Sequence, residues 1–237
     1  MKFKINPLIH ENYPQLVANV VIIKNFNNNP EARVSSQILS ILRNNENSLR
    51  SAYASKEELF NNPYITSYFD LFRRFGVNPK KVRPSRVALT ERVVKGGSLP
   101  DINPAVNLYN SFSIKYLIPF GGEDLDKIEE YFELSIASGN EKWLGIGETS
   151  SILPFKGDLI WKDAIEVSTT SLNYRQCEKT KLTPETTNGY FISEGFKNVN
   201  KDYIEEISTE FIQTFTSLLG GIGEKHLLDI DSPEFMV

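Results

Sequence analysis

The sequence predicts an α+β fold: helices mainly in the first half, a mixed or antiparallel β core in the second, and a closing C-terminal helix. Three observations predict it. Apolar residues recur at three- and four-residue spacing through most of residues 30–116, the period of an amphipathic helix. After Pro119 the period drops towards two, in short segments separated by glycine-bearing turns. Helical spacing returns over residues 202–219. Segregated periods argue for α+β; a doubly wound sheet would interleave them.

The elements follow in order. A short strand and a short helix or turn open the chain, and the β-branched run at 17–23 predicts a buried strand. Val34, Ile38, Ile41 and Leu42 predict a helix over 30–49, with NNNP supplying a cap and an early proline. Two helical pieces follow at 56–60 and 64–75; the second has a wide apolar face and stops at Gly76. Residues 85–95 predict a helix capped by Ser85 and ended by Gly96-Gly97. Asn103-Pro104 starts the next, over 103–116. Gly121-Gly122 predicts a turn, residues 128–137 and 152–170 short strands, and 190–194 a further strand. The last residues, DIDSPEFMV, are expected frayed or docked on the surface.

Composition narrows the function. The 237 residues are 40% hydrophobic and 24% charged, a globular balance. One cysteine, Cys177, excludes an intrachain disulfide. Two histidines, far apart in sequence, leave few zinc ligands, so no metal and no cofactor are expected. The N-terminus lacks the apolar core of a signal peptide and no apolar run approaches a membrane span, which predicts a cytoplasmic protein with no membrane partner. The net charge of −4 requires any nucleic-acid role to rest on a local patch.

Such a patch is present. Arg73, Arg74, Lys80, Lys81, Arg83, Arg86, Arg92 and Lys95 cluster with Glu91 as the only acid, while residues 123–133 are strongly acidic. The cluster is either a phosphate-binding surface or a set of solvated helix faces paired with that acidic segment. The glycine runs at 96–97 and 220–223 lack the strand–loop–helix context of a nucleotide site.

Three longer stretches carry a resemblance: RRFGVNPKKVRPS at 73–85, INPAVNLYNSFSIKYLIPFGGEDLDKI at 102–128, and YRQCEKTKLTPETTNGYFISEGF at 174–196. Together they resemble the B3/B4 domain of the phenylalanyl-tRNA synthetase β-subunit, as found in freestanding B3/B4 proteins. The family's V-D-V-T-N-Y-V helix matches residues 106–112, its P-L-H-A-F-D-x-D-K-I matches 119–128, and its G-G-E-x-S-x-V-T-E-E-T-x-N matches 176–188 with Glu194 beyond. The resemblance covers residues 65–222. It implies three regions: an N-terminal α/β segment at 1–64 packed on the same unit, the B3/B4-like domain at 65–222, and a tail at 223–237.

The resemblance also implies activity. In the synthetases this domain hydrolyses tyrosine wrongly esterified to the phenylalanine tRNA. Glu178 falls at the position of the editing-site glutamate, so the resemblance makes it the candidate catalytic residue. Asn107, Asn110, Gly121, Gly122, Thr180 and Thr183 become candidates for substrate binding. Arg73, Arg74, Lys80, Lys81, Arg83 and Arg86 become candidates for tRNA binding. The family's pocket histidine aligns with Gly121, a departure that removes a polar group. Two functions therefore stand: a trans-editing hydrolase of mischarged aminoacyl-tRNA, and a non-catalytic module that binds tRNA, RNA or an aromatic amino acid. A structural partner of a synthetase is a third. Neither the length nor the motifs accommodate a complete synthetase.

Overall fold

The computed structural model describes residues 1–237. Its elements are β1 (Lys2–Ile5), α1 (Pro7–Asn12), β2 (Leu16–Lys24), α2 (Ala32–Ala52), α3 (Lys56–Phe60), α4 (Pro63–Arg74), α5 (Ser85–Val94), α6 (Pro104–Tyr116), β3 (Gly121–Asp124), β4 (Tyr131–Ile136), β5 (Leu159–Lys162), β6 (Val167–Thr170), β7 (Arg175–Gln176), β8 (Gly189–Phe196), α7 (Lys201–Leu219), β9 (Ile222–Leu228) and β10 (Glu234–Met236). This is the expected α+β segregation. One sheet runs β10-β1-β4-β5-β6-β7, and β1 with β4 is its only parallel pair. The other runs β3-β8-β2-β9, all antiparallel.

Strand β2 explains the layering. Its sequence is an unbroken apolar run because both faces are covered. Leu16, Ala18, Val20 and Ile22 face the core between the sheets, with Phe3, Phe132, Trp161, Tyr190 and Ile192. Val21 and Ile23 face the opposite way, onto α6 and α7 through Phe112, Phe211 and Phe215. A third cluster joins α2, α3, α4, α5 and α6 through Leu42, Leu59, Ile65, Val87 and Ile114. Each fully buried Leu, Ile, Val or Phe among them contributes roughly 2 kcal/mol.

Several local expectations change. Pro84, not Ser85, is the N-cap of α5, and Ser85 is its first helical residue. Helix α2 starts at Ala32 without a side-chain cap. Asn28 from NNNP instead serves α6: its Oδ1 accepts from Ala105 N at 2.9 Å, and its Nδ2 donates to Asn103 Oδ1 at 3.1 Å and Thr183 O at 2.8 Å. Asn103 caps α6 as expected, accepting from Val106 N at 3.0 Å. Gly121-Gly122, expected as a turn, lies in β3, where Gly122 leaves room for Phe191: a Cβ there would sit 2.3 Å from its ring. The C-terminal residues are docked, with β9 beside β2 and β10 beside β1. No helix is long and apolar enough to cross a membrane.

Candidate functional site: an aromatic cavity with two buried carboxyls

A cavity of about 250 Å³ is lined by α5, α6 and strands of both sheets. Its aromatic walls are Tyr109 and Phe120 beside Phe132, Trp161 and Tyr190, and its rim includes Asn173, Tyr174 and Arg175. Asn110, Gly121, Gly122, Glu123 and Glu194 also line it.

Strand β8 places the first of the two carboxyls. Side chains alternate along a strand, so Tyr190, Ile192 and Glu194 share the face toward the cavity. Glu194 is buried, and its Oε1 accepts from Trp161 Nε1 at 2.9 Å. Its Oε2 accepts from Asn173 Nδ2 at 3.3 Å, and its backbone carbonyl accepts from the Tyr68 hydroxyl. Burial pushes the carboxyl up to about 7, against the pull of the Trp161 and Asn173 donors. It is thus divided between acid and base forms near neutral pH, the range suited to proton transfer.

Glu123 is the second buried carboxyl. Its Oε1 accepts from Thr169 Oγ1 at 2.9 Å, and its Oε2 from Ser168 Oγ at 2.5 Å and from the Thr180 hydroxyl. Burial raises its pKa, and these hydroxyls with Tyr190 oppose the rise. Cys177 joins the network through Thr180 at 3.0 Å, and burial pushes its thiol up to about 12, so it is no nucleophile.

The residues expected at a site divide. Asn110, Gly121 and Gly122 line the cavity. Asn107 does not: its amide donates to Asp101 at 2.7 Å and accepts from Ile102 N at 3.1 Å, fastening the entry to α6. Thr180 is turned to Glu123, and Thr183 is tied into its own loop by Thr186 Oγ1 at 3.0 Å. Thr186 in turn donates to Asp124 at 2.7 Å, and Asn188 to Asp126 at 2.8 Å, so the threonine loop is braced against β3 and the turn after it.

Glu178 lies outside the cavity wall, on the surface. Its carboxylate accepts from Lys181 and from Gly147 N at 3.3 Å, contacts that hold it below the usual carboxylate range. Strand β7 ends at Gln176, and Glu178 lies in the bend beyond it, past the buried Cys177.

The basic cluster also divides. Arg73, Arg74, Lys80 and Lys81 are exposed, and Arg73 and Lys80 border one open groove. Arg83 and Lys95 are drawn onto Glu91. Arg86 is fully buried and cannot reach a phosphate on the surface: its guanidinium donates to the carbonyls of Leu117 and Tyr64 and lies 3.9 Å above the Tyr68 ring. The acidic residues of 123–133 pair elsewhere, Glu133 with Lys4 and Glu129 with Lys179. Histidines stay apart from the cavity: His10 is buried in α1, and His226 stacks on Phe235 at 3.9 Å. No group of three or more His, Cys, Asp or Glu side chains is placed to hold a metal ion.

The family model for the B3/4 domain matches residues 67–214. The chain belongs to the B3/4 domain family. The motifs at 73–85, 102–128 and 174–196 lie within the matched residues. An N-terminal fragment of the phenylalanyl-tRNA synthetase β-subunit from Pyrococcus horikoshii is a similar solved structure, 12% identical, with a TM-score of 0.46. The likeness covers 93% of this chain and 49% of that one, so this B3/4 protein spans about half the length of that fragment. No curated protein matches the chain.

Proposed function

We propose that this B3/4 protein hydrolyses the ester of a mischarged aminoacyl-tRNA, with the amino-acid end held in the cavity and Glu194 as general base. One observation carries the reading: an aromatic-walled cavity of amino-acid size contains a buried carboxyl held at about 7. An aminoacyl ester is already activated, so its cleavage needs a positioned water and a place for the developing oxyanion more than a strong nucleophile. In the proposed step, water attacks the ester carbonyl and its proton passes to Glu194. The carbon–oxygen bond to the ribose then breaks, and the leaving oxygen takes that proton. Asn110 and Gln176 line the cavity with side-chain amides and are the donors assigned to the carbonyl oxygen, Gln176 through the hydrogen not given to Gly122 O at 3.0 Å. Tyr109, Phe132, Trp161 and Tyr190 favour an aromatic amino acid.

The test is loss of ester from tyrosyl-, meta-tyrosyl- and phenylalanyl-tRNA. We expect acceleration over buffer for at least one ester, its loss in Glu194→Gln, and its retention in Glu178→Ala. Equal rates for wild type and Glu194→Gln would remove the reading.

Gly121 favours a second reading, a non-catalytic tRNA-binding module, because it presents no side chain where the family motif has histidine. Its signature is salt-dependent binding of uncharged tRNA without ester loss. Under either reading the phosphate contacts fall to Arg73, Arg74, Lys80 and Lys81. Lys80→Glu and Lys81→Glu are each expected to weaken binding and to reduce the logarithmic salt slope by roughly one. Arg83→Glu, whose guanidinium already serves Glu91, is expected to change that slope less; filter binding across a salt series separates them.

A further inference from the structure

We propose that Asn173 is a positioning residue for Glu194, presented to it by a left-handed turn that Asp158 clamps. The inference rests on the reading of Glu194 as the cavity's working carboxyl.

The turn between β6 and β7 has an unusual backbone. Ser171 and Leu172 have φ of 45° and 62°, both in the left-handed region and neither a glycine. Such a conformation persists only where its surroundings over-determine it. Here they do. Asp158 Oδ2 accepts from Ser171 N at 3.0 Å and from Ser171 Oγ at 3.2 Å. Leu172 N donates to Leu159 O at 2.6 Å, and the Leu172 side chain is fully buried in the core. Tyr174 N closes the turn on Thr170 O at 3.0 Å.

This turn delivers an amide in one orientation. Ser85 N, at the start of α5, donates to Asn173 Oδ1 at 3.3 Å. A backbone N–H can only donate, so the Asn173 oxygen faces Ser85 and its NH2 faces Glu194 Oε2. Each oxygen of the carboxylate then has one donor. Trp161 is fixed in β5, stacked on Phe132 at 5.1 Å. Asn173 is the donor whose place depends on the turn. The other ionisable groups nearby are Tyr68 and Arg86 behind the backbone of Glu194, and Tyr109, Glu123, Tyr174, Arg175 and Tyr190 around the cavity. The side-chain donors on the carboxyl are Trp161 and Asn173, with its own backbone N–H as a weaker third. A donor to the charged form favours that form, so losing Asn173 moves the carboxyl further toward its acid.

The two tryptophans, Trp143 and Trp161, make the test direct. In the full chain labelled with 15N-tryptophan, the Trp161 indole resonance follows Glu194 as pH changes, and Glu194→Gln assigns that titration by abolishing it. We expect Asn173→Ala to raise the midpoint by about one pH unit. Ser171→Ala, which removes one clamp contact and leaves Asn173 in place, is expected to raise it by less. An unmoved Trp143 resonance reports an intact fold; if Asn173→Ala disturbs it, Asn173→Ser is read in its place with the same expectation. A midpoint in the variant equal to or below that of wild type overturns the proposal, as does a wild-type Trp161 resonance that does not titrate. The readout is the carboxyl itself. Absence of ester cleavage with a shifted midpoint therefore removes the proposed reaction and leaves the positioning role standing.

Discussion

Replacing Arg86 by alanine is expected to lower stability by about 4 kcal/mol, among the largest losses available to one substitution here. The side chain is fully buried and has no carboxylate partner. Burial lowers its pKa to about 10, which still leaves it protonated at neutral pH. What holds the cation is geometric. Leu117 is the left-handed C-cap of α6, with φ of 55°, and Tyr64 lies in the first turn of α4. A planar guanidinium donates to both carbonyls and covers the Tyr68 ring, whose hydroxyl donates to the backbone of Glu194. Alanine would leave two carbonyls unpaired beside a void. Lysine, with one compact charge, is expected to recover only part of the loss. Urea denaturation of Arg86→Ala, Arg86→Lys and Arg86→Met checks this. A methionine variant as stable as wild type would mean that burying the cation costs as much as its contacts return.

Arg86 also shows where sequence reading stops. In sequence it is one more member of a basic run; only the fold separates it from Lys80 and Lys81. The helices were legible because their signals are local. Asn103-Pro104 sets the start of α6, and the 3.6 period of α7 fixes its buried stripe. Strand β3 was not. Two glycines followed by two acids have no strand propensity, and β3 forms because it pairs with β8 and because Glu123 meets hydroxyls distant in sequence. Strand β9 is largely exposed and offers no clear alternation.

The cavity was half legible. Family motifs pointed to Asn110, Gly121 and Gly122, which do line it. They also pointed to Glu178, which lies in a bend beyond the end of β7 and outside the cavity. Strand alternation does mark Glu194. Within YFISE, an acid two residues beyond Ile192 and four beyond Tyr190 shares their inward face, and a carboxyl on an inward face is a signal of a site. Its partners were beyond reach of the sequence. Trp161 and Asn173 come from β5 and from a turn whose backbone conformation no residue type announces.

The second large effect is a stability that falls as pH rises. The Glu194 carboxyl titrates near 4.5 when unconstrained and at about 7 in the fold. Between those values the folded protein binds more protons than the unfolded chain. Its stability therefore declines from about pH 4.5 through about pH 7 and levels off above, a loss on the order of 3 kcal/mol from this residue. Asp158, raised from 3.8 to about 6, acts in the same direction at lower pH. His10 acts oppositely, because burial lowers its pKa from 6.5 and charging it disfavours the fold. Asp163, Glu91 and Asp229 have lowered values, and their contributions are lost only under more acidic conditions. A difference between two proteins removes these common parts. Glu194→Gln is therefore expected to gain about 3 kcal/mol on wild type between pH 4.5 and pH 8 in urea denaturation across the series, on top of a constant cost because its NH2 cannot accept from Trp161 or Asn173. The same burial that destabilises the charged carboxyl keeps a base available near neutral pH, so the stability lost and the proton affinity gained have one cause. A difference that stays flat with pH would mean that Glu194 is ionised throughout with an ordinary carboxylate's weak proton affinity, and the observation that carries the proposed hydrolysis would be gone.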